Sequence, residues 1–137
     1  MDKVSPIYRS QLTRNLRAFL KAKGEEFDPA RTPEYLTQGA NLLKKTFGVH
    51  LAAYICNQTD IKRFNKWVKG QDLPEIFEAG GLLNAIEITE ILLGKLNASQ
   101  AKQWMLTPKE YILYELPMDV IRSDAELVRR AALMIYT

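Results

Sequence analysis

Lys62, Lys66 and Lys69 stand at i, i+4 and i+7, so on a helix they share one face, with Arg63 alongside. Cations arrayed this way do electrostatic chemistry: they neutralise phosphates and release the counterions a polyanion carries. Ile61, Phe64 and Val68 fall on the opposite face, with Trp67 near its margin. Just ahead of them, Asn57, Gln58 and Thr59 bring amide and hydroxyl groups to the N-terminus of the same helix. Such groups reach base edges or phosphates, although Thr59 is better suited to be the helix N-cap. A basic stripe taken alone is equally the solvated side of an amphipathic helix, and its neighbours must decide.

Other chemistry finds little material. His50 is the only histidine and Cys56 the only cysteine. They are six residues apart with no carboxylate between them, which makes neither a zinc site nor a thiol dyad. His50 lies between Val49 and Leu51 at a helix start and reads as structural or solvent-facing. No GxGxxG and no P-loop occurs to cradle a phosphate. The carboxylates of the second half fall mostly where they would cap helices or keep them soluble. The expectation is a protein that binds rather than catalyses, with no cofactor and no metal.

The elements around the lysines give the stripe its meaning. In GVHLAAYICNQTDIKRFNKWVKGQDLP a short apolar helix (Leu51, Ala52, Tyr54, Ile55) meets a polar turn. The lysine-bearing helix follows, closing at Gly70 with Pro74 just beyond. That order is the grammar of a helix-turn-helix, whose second helix enters the DNA major groove. Charge follows the same division. Residues 1–24 hold six basic and one acidic residue, residues 51–70 four and one, and residues 71–137 six and ten. Arg14, Arg17 and Lys21 are either a solvated face or contacts to neighbouring DNA backbone.

The rest of the 137 residues reads as helix throughout. Tyr8, Leu12, Leu16, Phe19 and Leu20 predict an amphipathic helix ending near Gly24. Thr32-Pro33 reads as cap and first helical residue, with Leu36, Ala40, Leu43 and Phe47 as a buried stripe ended by Gly48. Pro74 opens a long helix that is apolar on most faces. Its Gly80-Gly81 pair either permits close packing or places the true start at Leu82. Ser99 starts a short helix, Thr107-Pro108 another, and Pro117 breaks the chain again. Ser123-Asp124-Ala125-Glu126 reads as a capping box before a last helix with Leu127, Ala131, Met134 and Ile135 inward. Only YILYEL at 111–116 hints at a strand. Trp104, Pro108, Leu113, Pro117 and Ile121 form a proline-punctuated apolar group, either core or an interface.

The expected fold is an all-α helical bundle with an embedded helix-turn-helix and a small C-terminal helical subdomain. Its expected divisions are an extension at 1–30, a helix-turn-helix region at 31–78 and a C-terminal region at 79–137. One cysteine fits a reducing cytoplasm, and no apolar run approaches the ~20 residues of a membrane span.

From Phe47 to Thr137 the chain resembles the Xre/MbcA/ParS antitoxin family. LAAYICNQTDIKRFNKWVKG is similar to the family's helix-turn-helix, and LLNAIEITEILLG to its long apolar helix. WMLTPKEYILYELPMDVIR follows its pattern of tryptophan, proline-led turn, second proline and short apolar helix, and AELVRRAALMIY resembles its close. The resemblance implies the antitoxin of a toxin–antitoxin pair. The helix-turn-helix would bind its own promoter DNA as a homodimer or higher oligomer, with Lys62, Arg63 and Lys66 on the recognition helix. The C-terminal half would hold a cognate protein toxin, often of the RES type that attacks NAD, through the segment carrying Trp104, Pro108, Pro117 and Ile121. The alternatives are a stand-alone helix-turn-helix regulator and a protein-interaction adaptor.

Overall fold

Leu36, Ala40, Leu43 and Phe47 recur at helical spacing, and all four are buried. They are the inner stripe of α1 (Thr32–Phe47), which begins with Glu34 in its first turn and ends with Lys44 and Lys45, matching the helix dipole at both ends. Gly48, at φ +83°, ends this helix, and α2 (Val49–Ile55) restarts at once. α3 (Ile61–Val68) follows a five-residue turn, and α4 (Ile76–Leu93) runs through the middle. Then come α5 (Ala98–Met105), a 3-10 turn at Glu110–Ile112, and the one-turn helix α6 (Pro117–Val120). α7 (Ala125–Leu133) and a closing 3-10 turn at Met134–Tyr136 complete the chain.

The computed structural model describes residues 32–137, and they form an all-α bundle without strands. The amphipathic helix expected around Tyr8–Leu20, with Arg14, Arg17 and Lys21, lies outside the described residues. α1 is the hub: it packs against α2, α3, α4 and α5, while α7 closes over α4. One buried cluster runs through all of these helices, from Leu36 to Ala132. The boundary expected after residue 78 falls inside α4.

α4 is buried on several sides, through Leu82, Leu83, Ile86, Ile88 and Leu92. It begins before its glycine pair rather than at Leu82, and starts at Ile76 rather than Pro74, with Glu75 as N-cap. The two glycines differ. A Cβ on Gly81 would lie 2.3 Å from the Cys56 carbonyl oxygen, whereas one on Gly80 would meet nothing within 4 Å. Close packing therefore accounts for Gly81 alone.

Several helix starts move by a residue or two, because a neighbouring amide or carboxylate outcompetes the expected cap. Asn97, not Ser99, caps α5, in a reciprocal box with Gln100. Asp124, not Ser123, caps α7 by accepting from Leu127 N. The buried stripe of α7 is correspondingly Val128, Ala131 and Ala132, and Met134 is exposed. Thr107-Pro108 starts no α-helix. YILYEL folds as the 3-10 turn plus two left-handed residues, Leu113 and Tyr114, closed by a single bridge between Lys109 and Glu115.

Candidate nucleic-acid interface

α3 is fixed at both ends by its own sequence. Asp60, rather than Thr59, is the N-cap: its Oδ1 accepts from Lys62 N at 3.0 Å and Arg63 N at 3.2 Å. Asp60 follows an extended backbone directly into the first helical residue, a place Thr59 does not reach. At the far end Gly70 adopts φ +71°, with Gly70 N on Trp67 O at 3.2 Å and Gln71 N on Lys66 O at 2.9 Å. This paired closure needs a left-handed residue and is the reason for a glycine there. Asn41 of α1 donates to Val68 O at 3.0 Å and ties this end to the hub.

The inner face of α3 carries Phe64, Trp67 and Val68, all buried. Trp67 is not marginal; it is 1% exposed and meets Phe64 edge-on at 6.0 Å. With that face locked, Lys62, Lys66 and Lys69 point to solvent, as does Thr59. Lys44 of α1 joins the same surface by donating to Asn65 Oδ1 at 3.4 Å. Sequence spacing missed this cation because it lies on another helix.

Arg63, Gln58 and Asn57 do something other than face outward. Arg63 grips Glu78 of α4 in a fork, Nε to Oε2 at 2.8 Å and Nη2 to Oε1 at 2.6 Å, and reaches Asp72 at 3.3 Å. That fork keeps the guanidinium charged, raising its pKa further, while partial burial works against it. Gln58 is buried; its amide donates to Glu78 Oε2 at 2.6 Å and its oxygen accepts Asp60 N at 2.9 Å. Glu78 also accepts Glu75 N at 2.8 Å. Burial alone would raise the Glu78 carboxyl, but these donors outweigh it and hold the group below its ordinary value. Asn57 is exposed at φ +62°, and its oxygen accepts from Arg122. So Arg63 and Gln58 are internal struts of the turn, and of the seven residues expected to meet DNA the three lysines and Thr59 are left unencumbered on the surface.

The C-terminal group divides in the same way. Trp104, Pro117 and Ile121 are buried, with Lys109 Nζ 5.1 Å over the Trp104 ring and the Lys109 pKa lowered by burial. Pro108 and Leu113 are exposed. The loop between α5 and α6 shows three further apolar side chains that sequence reading passed over, Leu106, Tyr111 and Tyr114. Phe77, in the first turn of α4, is 85% exposed. It borders an open cleft of about 450 Å³ that also takes in Asn57, Thr59, Asn84 and Arg122.

His50 is exposed, and Cys56 is buried in apolar surroundings that push its thiol pKa well up, away from the reactive thiolate. Among the described residues no group of three His, Cys, Asp or Glu side chains is placed to hold a metal ion, and no helix is long and apolar enough to cross a membrane. Comparison with protein-family models, with curated proteins and with solved structures gave no match.

Proposed function

We propose that this chain is the antitoxin of a bacterial type II toxin–antitoxin system, binding its own promoter DNA through α3 and a cognate protein toxin through its C-terminal half. In this reading it acts in the cytoplasm as a homodimer or higher oligomer and performs no catalysis. The observation that carries the DNA half is the sorting of α3: three lysines outward at one helical face, two aromatic residues locked inward, and Lys44 added from α1. A rigid rod fixes where the three ammonium-bearing side chains leave the backbone, so their phosphate contacts can set the register of a helix in a groove.

The toxin half draws on the family resemblance and on the loop that displays Tyr111, Leu113 and Tyr114. Two consecutive non-glycine residues in the left-handed region hold that loop, a conformation costing on the order of 1–3 kcal/mol per residue. Such strain commonly persists where a surface serves binding. The toxin-facing residues are then Pro108 and Leu113 with these tyrosines, while Trp104, Pro117 and Ile121 support them from the core. The burial of those three also favours a second reading, a stand-alone DNA-binding regulator with no toxin.

Two measurements separate the readings. Binding to the chain's own upstream DNA is followed against salt for the wild type and for Lys62→Ala/Lys66→Ala/Lys69→Ala. Three lost phosphate contacts flatten the log–log salt slope by about 2.7, at roughly 0.9 per contact. An unaltered slope and affinity would end the DNA reading. Co-expression with the neighbouring gene product tests the rest: complex formation and relief of growth arrest support the antitoxin, and absence of both leaves the regulator.

A further inference from the structure

The turn that delivers the chain into α3 is held from two directions. From α4, Glu78 takes Gln58 and Arg63. From the link between α6 and α7, Arg122 donates Nε and Nη2 to Asn57 Oδ1 at 3.2 and 3.0 Å. Its guanidinium also lies 4.2 Å over the Tyr54 ring, and the Tyr54 hydroxyl donates to Asp119 of α6 at 2.5 Å. The C-terminal half thus holds both the last turn of α2, through Tyr54, and Asn57 two residues beyond its end.

Asn57 is where the direction changes. Its left-handed backbone closes α2, with Asn57 N on Tyr54 O at 3.0 Å and Gln58 N on Ala53 O at 2.9 Å. A glycine would take this conformation at less cost. An asparagine there brings an amide, and the structure spends that amide on Arg122. We infer that Arg122 and Asn57 are positioning residues for nucleic-acid binding: their contact sets the exit of the chain from α2 and so the presentation of α3. This deepens the DNA-binding reading of α3 and rests on it. Both side chains are exposed, so either can be replaced without opening the core.

The test uses the full chain and its own upstream duplex with Arg122→Gln, Asn57→Gly and the double variant. Asn57→Gly keeps the left-handed turn, removes no charge and leaves the fold intact. Each single variant lowers affinity about three- to tenfold, and the double variant does no worse than the weaker single one, as expected for two halves of one contact. Amide hydrogen exchange at residues 57–60 quickens in all three, and the salt slope stays at the wild-type value. If Arg122→Gln lowers the slope by about 0.9 while Asn57→Gly binds normally, Arg122 is simply a phosphate contact and the inference falls. Losses that multiply in the double variant, or exchange at 57–60 that does not change, overturn it equally. A wild-type chain that binds no duplex ends the reading of α3 itself; unchanged exchange with DNA binding intact ends only this inference.

Discussion

α3 and the loop between α5 and α6 treat their large side chains in opposite ways. α3 buries Phe64 and Trp67 and displays lysines. The loop anchors one residue, Ile112, and displays Tyr111, Leu113 and Tyr114. The reason is geometric. A helix repeats every 3.6 residues, so polar and apolar residues spaced at that period part cleanly onto two faces. A 3-10 turn followed by two left-handed residues has no such period, and successive side chains leave in different directions. The first region is therefore built to show charge and the second to show apolar surface.

The largest effect that bears on this contrast is in stability. Trp67→Ala removes a fully buried ring and should lower the unfolding free energy by about 3–5 kcal/mol, whereas Leu113→Ala should stay within about 0.5 kcal/mol of wild type. Urea unfolding of the two variants measures both. Trp67 Nε1 is buried without a hydrogen-bond partner, so Trp67→Phe should recover part of the loss. Comparable losses for Trp67→Ala and Leu113→Ala would erase the distinction between the two regions.

The same contrast explains what the sequence could disclose. The stripe of α1, the inner face of α3 and the closure at Gly70 were all legible because each is written within one helix. Arg63 and Gln58 were not. Spacing put Arg63 beside the lysines, yet its partner Glu78 lies fifteen residues on in another helix, and only the packing of α4 against the turn brings them together. Lys44 escaped for the same reason in reverse. In the C-terminal group Trp104, Pro117 and Ile121 could not be told from Pro108 and Leu113, since chain reversals rather than periodicity decide which of them turn inward.

An intermediate effect probes the strut that makes α3 rigid. Glu78→Gln keeps shape and one acceptor but removes the charge facing Arg63, and should cost about 1–2 kcal/mol at neutral pH, given that the pair is partly solvated. The sign with pH follows from the depressed folded-state pKa. The carboxylate's contribution is fully present above its ordinary value of 4.5 and is lost as pH falls through the lower folded value. The stability gap between wild type and Glu78→Gln should therefore close on acidification below about pH 4.5. A gap that is constant down to pH 2 would mean that Glu78 does not hold the turn electrostatically.

The smallest effect sets two neighbours against each other on the helix that joins both regions. Gly80→Ala and Gly81→Ala gain the same helix propensity, about 1 kcal/mol. At Gly80 the new methyl enters open space, so the gain should appear in full. At Gly81 it would stand 2.3 Å from the Cys56 carbonyl oxygen and 3.2 Å from its carbon, and backbone cannot rotate away as a side chain can. Relieving that overlap costs about 1–3 kcal/mol and should outweigh the propensity gain, leaving Gly81→Ala net less stable. Because Cys56 begins the turn into α3, the displacement falls where the helix proposed to bind DNA is aimed. Gly81→Ala should then weaken promoter binding while Gly80→Ala leaves it unchanged, and equal binding by the two variants would show that this turn tolerates a shift of its first residue.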